Sequence, residues 1–123
     1  FSDSLENVEL FCKTMQLDWF FKIEDLKLHN MVDENGNNLS GGQKQLIGIA
    51  RALYQSAPIL VLDEPTASMD KECELEVIQL LFRLKKDMII IMITHKPEIA
   101  KMSDKIYILD NKHMTVCDDY LLL

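Results

Sequence analysis

Three side chains that can bind metal ions or move protons follow short apolar runs in the second half of the chain. Asp63 and Glu64 come directly after the apolar residues 59–62, and His95 ends the apolar segment 88–94. Open α/β sheets place their ligands at the carboxyl ends of parallel strands. At such an edge one carboxylate can hold Mg²⁺ through water while the other orients an attacking water. Taken singly, the acidic pair and the histidine are more typical of helix caps.

A second candidate site lies at residues 39–43, whose sequence is LSGGQ. Ser40 is a good N-cap, and Gly41 and Gly42 leave backbone N–H groups uncovered at the positive end of the helix that follows. This arrangement suits an anion such as a phosphate. The pentapeptide alone would more often be an ordinary glycine-rich helix start.

Helical elements are predicted by apolar residues at three- and four-residue steps. The first stripe consists of Leu5, Val8, Phe11, Cys12 and Met15. Turn-forming residues predict a loop over residues 29–38. A second helix should begin after Ser40 and stop near Ala57, because Pro58 disfavours helix in the residue before it. Its shared face holds Leu46, Ala50, Leu53 and Tyr54.

Two wholly apolar runs, residues 59–62 and 88–94, predict strands buried on both faces of a parallel sheet. The segment between them, residues 71–86, is helical by periodicity, so the three elements form a parallel crossover. Its apolar face would hold Leu75, Ile78, Leu81 and Phe82. Residues 106–109 and 114–117 predict two further short strands around a tight turn.

Composition narrows the classes of protein to consider. With 123 residues and 48% hydrophobic residues, the chain can form one domain or a piece of one. A formal net charge of −7 opposes the phosphate neutralisation that nucleic-acid binding requires, so no nucleic acid is expected as a partner. Cys12, Cys73 and Cys117 are predicted to be reduced thiols of a cytosolic protein. The longest apolar run is about a third of a membrane span, so membrane contact would come through a partner or another segment.

Four motifs in this order and spacing resemble those of the ATP-binding cassette (ABC) family. Residues 39–43 match its signature motif, residues 59–64 its Walker B strand and catalytic glutamate, residues 67–70 its D-loop, and residues 94–95 its switch histidine. The resemblance implies an α/β fold: an incomplete P-loop NTPase fold in which a helical subdomain precedes a partial, mainly parallel sheet with flanking helices. The helical subdomain would be residues 1–57, and the remaining core would be residues 58–123.

The same resemblance implies ATP and Mg²⁺ as cofactors. Asp63 would hold the magnesium shell, Glu64 would act as general base, and His95 would contact the γ-phosphate. The residues that would bind nucleotide across a head-to-tail dimer with a second nucleotide-binding domain are Ser40, Gly41, Gly42, Gln43 and Asp70.

Finer resemblances favour an exporter. Residues 1–8 look like the segment after the Q-loop of exporter cassettes, and Val32, Glu34 and Gly36 look like the X-loop that touches a transmembrane domain. Such a protein would work at the cytoplasmic face of a membrane, tethered to its transmembrane partner. Two alternatives stay open: a soluble ABC ATPase of repair or translation, and a non-catalytic module that completes a partner's nucleotide site.

The sequence departs from the family in one important respect. No Gly-x-x-x-x-Gly-Lys-Ser/Thr occurs in it, so the phosphate-cradling Walker A loop and the Q-loop glutamine are missing from these residues. We therefore expect a C-terminal portion of the ATPase domain that is inactive alone. The strand that normally neighbours Walker B is missing as well, so we expect self-association or element swapping through the open strand edge.

Overall fold

The computed structural model describes residues 5–17, 19 and 39–117. This part of the chain contains four helices and four short strands. In chain order the elements are α1 (Leu5–Thr14), α2 (Gly41–Tyr54), β1 (Ile59–Asp63), α3 (Lys71–Leu84), β2 (Ile89–Ile93), α4 (Pro97–Ala100), β3 (Tyr107–Asp110) and β4 (His113–Val116). Among the described residues, no helix combines the length and apolarity needed to span a membrane.

Helix α1 packs its predicted stripe against the rest of the molecule. Cys12 is buried, and Val8, Phe11 and Met15 are partly buried against the core. The ring of Phe11 meets the ring of Tyr54 edge to face, with centroids 5.0 Å apart, which joins α1 to the end of α2. The predicted loop over residues 29–38, including the X-loop-like positions, lies outside the described residues.

Helix α2 begins as the sequence predicts and ends earlier. The Ser40 side chain accepts a hydrogen bond from the Gln43 N–H at 3.1 Å, and the Gln43 side chain accepts one from the Ser40 N–H at 2.8 Å. This reciprocal capping box fixes the first turn. The helix ends at Tyr54 and not near Ala57, because Ser56 takes a left-handed conformation with φ of 52°.

Strands β1 and β2 form the predicted parallel pair, connected through α3. Ile59 pairs with Ile89 and Asp63 with Ile93, so the carboxyl ends of the two strands are level. The prediction that both faces of these strands are buried is wrong. Leu60 and Leu62 are buried, whereas Val61 on the opposite face is 63% exposed.

The uncovered face of this sheet is apolar. It consists of Ile59, Val61, Ile89, Ile91 and Ile93, each between 49% and 63% exposed. The other face lies on the core formed with α2 and α3, where Leu46, Leu53, Val77 and Leu80 are buried. An apolar run indicates a strand that is able to be buried on two sides, but the number of covered sides depends on the layers present.

Helix α3 turns a different face inward from the one predicted. Ile78 and Leu81 are buried as expected, but Leu75 is 59% and Phe82 42% exposed. The buried stripe also includes Glu74, which is 5% exposed. The sequence prediction placed the charges of this helix on its outer face, and the buried Glu74 is an exception to it.

The last two strands form an antiparallel hairpin separate from the parallel pair. Asn111 and Lys112 make the two-residue turn with φ of 46° and 65°, the left-handed pair that suits the twist of hairpin strands. The backbone N–H of Cys117 donates to the carbonyl of Ile106 at 2.9 Å, extending the ladder by one pair. The three cysteines are buried, and no disulfide joins any of them within the described residues, in keeping with the predicted reduced thiols.

Candidate functional site

The level ends of β1 and β2 bring Glu64 and His95 together. The N–H of Glu64 donates to the carbonyl of Ile93 at 3.0 Å, which continues the strand ladder past β1. Glu64 nevertheless has a φ of 45°, a left-handed conformation that non-glycine residues rarely adopt. Such strain persists only where surrounding contacts hold it, and it concentrates at functional sites.

The carboxylate of Glu64 is held in place by the backbone of the neighbouring loop. Its Oε1 atom accepts a hydrogen bond from the N–H of His95 at 2.9 Å, and Nε2 of His95 lies 3.6 Å from the same oxygen. Within the described residues, no protein group hydrogen-bonds the second oxygen, Oε2. The Glu64 side chain is 30% exposed and that of His95 93% exposed, so both are open to a ligand.

Asp63 ends β1 as an exposed residue beside Glu64. In the described part of the chain, no three His, Cys, Asp or Glu side chains gather to hold a metal ion. Magnesium commonly keeps several waters and takes one or two carboxylates together with substrate phosphates. A single exposed Asp63 fits that mode of binding and does not fit an all-protein metal site.

The start of α2 keeps the features expected of an anion seat. Ser40 and Gly41 are exposed, whereas Gly42 is buried. A Cβ atom added to Gly41 would lie 3.1 Å from the Cβ of Ser68, so a glycine permits this close approach of helix and loop. The first N–H groups of a helix have no intrahelical acceptor. The Ser40 hydroxyl accepts from the Gln43 N–H, and the Ser40 backbone N–H donates to the Gln43 side chain. Within one chain, nothing described joins Ser40 directly to Glu64 or His95.

Asp70 has a local structural role. Its Oδ1 atom accepts a hydrogen bond from the N–H of Cys73 at 2.8 Å and so caps α3. The residue remains exposed, and its backbone carbonyl accepts the first helical bond from the N–H of Glu74. Capping therefore fixes the end of the loop that runs from Glu64 to α3.

Sequence reasoning missed Gln45, which ties α2 to this loop. Its Nε2 atom donates to the carbonyl of Glu64 at 3.1 Å, and its Oε1 atom accepts from the N–H of Ser68 at 3.1 Å. A signal for it exists in the sequence. Gln45 lies four residues after Gly41, hence on the same helix face and toward the same loop.

A buried ionic cluster was also missed. Glu74 interacts with Lys96 and, at 3.1 Å, with Lys71. Hydrogen bonds from Lys96, Lys71 and Thr66 outweigh the effect of burial and lower the pKa of the Glu74 carboxyl from 4.5 to about 2. The available signal was a carboxylate at helical spacing within an apolar stripe, a position that requires a partner.

Comparisons with known proteins identify the family of the chain. Residues 6–67, just over half of the chain, match the sequence model of the ABC transporter family. The chain is 42% identical over 120 residues to an ATP-dependent lipid A-core flippase of Pseudoalteromonas translucida, covering 98% of this chain and 21% of the flippase. It is 40% identical to the lactococcin-G-processing and transport ATP-binding protein LagD of Lactococcus lactis, covering 85% of this chain and 15% of LagD.

A solved structure, that of a bacterial Atm1-family ABC exporter with ATP bound, matches with a TM-score of 0.77 at 28% identity. The match covers 94% of this chain and 20% of the exporter. The chain thus spans about a fifth or less of the length of these relatives. Its fold is that of part of a P-loop NTPase-like nucleotide-binding domain. The matched segment, the exporter relatives and the shared fold together establish that this chain belongs to the ABC transporter family.

Proposed function

We propose that these residues form half of an ATP-hydrolysis site in an ABC exporter. The observation that carries the proposal is the Glu64 carboxylate, fixed by the His95 N–H at 2.9 Å with Oε2 left available. A general base must have one oxygen within hydrogen-bond reach of the water that it deprotonates. Anchoring of Oε1 restricts the rotation of the carboxylate and leaves Oε2 without a protein hydrogen-bond partner among the described residues.

In the proposed reaction, Glu64 accepts a proton from the attacking water through Oε2. His95, almost fully exposed beside it, contacts the phosphate that is transferred. Asp63, at the same strand end, would hold Mg²⁺ through water. When bound with the nucleotide, Mg²⁺ supplies the positive charge that neutralises the phosphate oxygens. Positioning and charge stabilisation account for most of the catalysis of phosphoryl transfer.

The start of α2 is assigned to the other nucleotide of a dimer. Ser40, Gly41 and Gly42 would clasp the γ-phosphate of ATP held by a second nucleotide-binding domain, with Gln43 beside them and Asp70 linking the two sites. The exposed positions of Ser40 and Gly41 at the start of the helix support this role. Gly42 is buried, so it would take part through its backbone N–H. Since the 123 residues contain no Walker A sequence, we expect them to hydrolyse no ATP alone.

The relatives support an exporter as the parent protein. We assign residues 1–57 to the helical subdomain and residues 58–123 to the core of the ATPase domain. A transmembrane domain would be the second partner, and the site would face the cytoplasm at the membrane. The alternative is a non-catalytic module that completes a partner's nucleotide site. The presence of both Glu64 and His95 favours catalysis.

The decisive experiment measures Mg-ATP hydrolysis by the full-length protein that carries these residues. Glu64→Gln preserves shape but removes the base, so kcat should fall at least about 100-fold while ATP binding is retained. Glu98→Gln, a change at an exposed glutamate on α4, is the matched control and should leave kcat unchanged. Unchanged hydrolysis in Glu64→Gln would contradict the proposal. Glu64-dependent hydrolysis by the 123 residues alone would show that phosphate binding comes from residues not identified above.

A further inference from the structure

The ionic cluster around Glu74 lies beneath the site described above. Its four members are Thr66, Lys71, Glu74 and Lys96. Thr66 is 2% and Glu74 5% exposed, so the centre of the cluster is withdrawn from water. The side chain of Lys71 is 82% exposed, whereas that of Lys96 is 32% exposed. Lys96 is therefore the partner that neutralises the buried carboxylate, since an exposed ion pair contributes little.

The ammonium group of Lys96 has three acceptors for its three N–H donors. They are Oε2 of Glu74, the carbonyl oxygen of Thr66 and the Oγ1 atom of Thr66, the last two at 3.4 Å. The backbone N–H of Lys96 in addition donates to Oγ1 of Thr94 at 3.1 Å. Hydrogen bonds thus fix both the backbone and the ammonium group of Lys96. They hold the loop after β2 at Thr94 and Lys96, the two neighbours of His95.

The cluster joins the two loops that carry the site. Lys96 follows His95 directly, and Thr66 lies two residues after Glu64. The ammonium group of Lys96 therefore connects its own loop, the one after β2, to the loop after β1 and, through Glu74, to the first turn of α3. The hydrogen bond from the His95 N–H to Glu64 requires that these two loops keep a fixed separation.

A role in stability alone explains the cluster around Glu74 less well than a role in positioning the two loops. Buried ion pairs stabilise little compared with apolar residues of the same volume, because the desolvation of both charges opposes their attraction. An apolar pair could have filled the space beside α3, but it could not have bonded the Thr66 carbonyl. The contacts of the cluster thus match a demand for geometry better than a demand for stability.

We propose that Lys96 is a positioning residue, anchored on Glu74 and Thr66, that sets His95 and Glu64 in register for ATP hydrolysis. This inference rests on the proposed function. It assigns no contact with ATP to Lys96 itself. Loss of the anchor would let the His95 loop move relative to Glu64, and displacements of about 1 Å at such sites cost roughly 100-fold in rate.

The test compares Lys96→Met, Lys96→Arg and Lys101→Met in the full-length protein. Lys96→Met should lower kcat roughly 10- to 100-fold and leave the KM for ATP within about twofold. Lys96→Arg retains the charge and several donors and should recover most of kcat. Lys101→Met, a change at an exposed lysine five residues further on, should have no effect.

Combination with His95→Ala separates positioning from general destabilisation. If Lys96 acts through His95, Lys96→Met should lower kcat by less than about twofold further in the His95→Ala protein. An equally large drop in both backgrounds, or no drop in either, would overturn the proposal. Glu74→Gln should reproduce the effect with an intact Lys96, and it serves as the test if Lys96→Met does not fold. Its matched control is Glu72→Gln, in the exposed part of the same turn.

Different results would overturn the proposed ATP hydrolysis and the positioning role of Lys96. Loss of hydrolysis in Glu64→Gln together with normal hydrolysis in Lys96→Met and Glu74→Gln would overturn the positioning role alone. Normal hydrolysis in Glu64→Gln would overturn the proposed function and, with it, the role of Lys96.

Discussion

Replacing Glu74 with glutamine should change how the stability of the protein depends on pH. Glu74 is buried and accepts hydrogen bonds from Lys96 and Lys71, which favour its ionised form. These contacts, led by Lys96, hold the pKa of the Glu74 carboxyl at about 2, below its ordinary value of 4.5. Glutamine has nearly the same shape but cannot ionise, so the comparison isolates the charge.

The size of the effect follows from the pKa difference. Each pKa unit corresponds to about 1.4 kcal/mol, so ionised Glu74 contributes about 3 kcal/mol near neutral pH. Because the folded-state pKa is the lower one, this contribution is complete above about pH 4.5 and is lost as the pH falls toward 2. About 2 kcal/mol should already be gone at pH 3.

The assay is urea unfolding at a series of pH values between 7 and 3. The assay uses the 123 residues, whose single tryptophan, Trp19, is half-buried and provides a fluorescence signal. The quantity to follow is the free energy of unfolding of the unmodified protein minus that of Glu74→Gln. Subtraction removes the contributions of the other carboxylates as long as they titrate alike in both proteins. Glu72→Gln, at an exposed position two residues earlier, is the control.

The expected result is a difference that shrinks by about 2 kcal/mol between pH 7 and pH 3. For Glu72→Gln the corresponding difference should stay constant. A constant difference for Glu74→Gln as well would refute the reasoning, since it would mean that Glu74 titrates alike in the folded and unfolded chains.

Two further predictions follow from the site and from the sheet. Gln45→Leu removes both hydrogen bonds between α2 and the loop after β1, one of them to the Glu64 carbonyl. The free energy of unfolding, measured by chemical denaturation, should fall by about 2 kcal/mol, and kcat should be lower. Gln55→Leu, at the exposed end of the helix, is the control and should change neither quantity. Equal stability of the two variants would contradict this prediction. The 123 residues should self-associate at micromolar concentration through the uncovered sheet, and Val61→Lys with Ile91→Lys should reduce that association. A monodisperse monomer of the unmodified chain in light scattering would count against it.

Much of the local structure was predictable because local chemistry determines it. Ser40 and Gln43 form a capping box whose partners are three residues apart, so no distant residue is needed to fix the start of α2. The apolar run 59–62 and its counterpart before His95 form strands because they are short and rich in β-branched isoleucine and valine, which favour a pleated conformation. Parallel pairing then followed from the helix between them.

The errors concern burial, which depends on neighbours that are distant in sequence. Val61 was expected to be buried, but burial of a strand face requires a covering layer, and no periodicity states whether one is present. Leu75 and Phe82 fit an apolar stripe as well as Val77 does, and only packing against α2 and the sheet selects the stripe that is covered.

For the site residues, too, local features were predictable and long-range contacts were not. By itself the sequence determined which side chains end the two strands, because the apolar runs and the charges that follow them are local. Only the tertiary structure decided that Glu64 binds the His95 N–H, that Gln45 reaches the Glu64 carbonyl, and that Lys96 neutralises Glu74. These contacts join residues between 19 and 31 positions apart. Their partners are set by the register of β1 on β2 and the packing of two helices, which no short segment of the chain specifies.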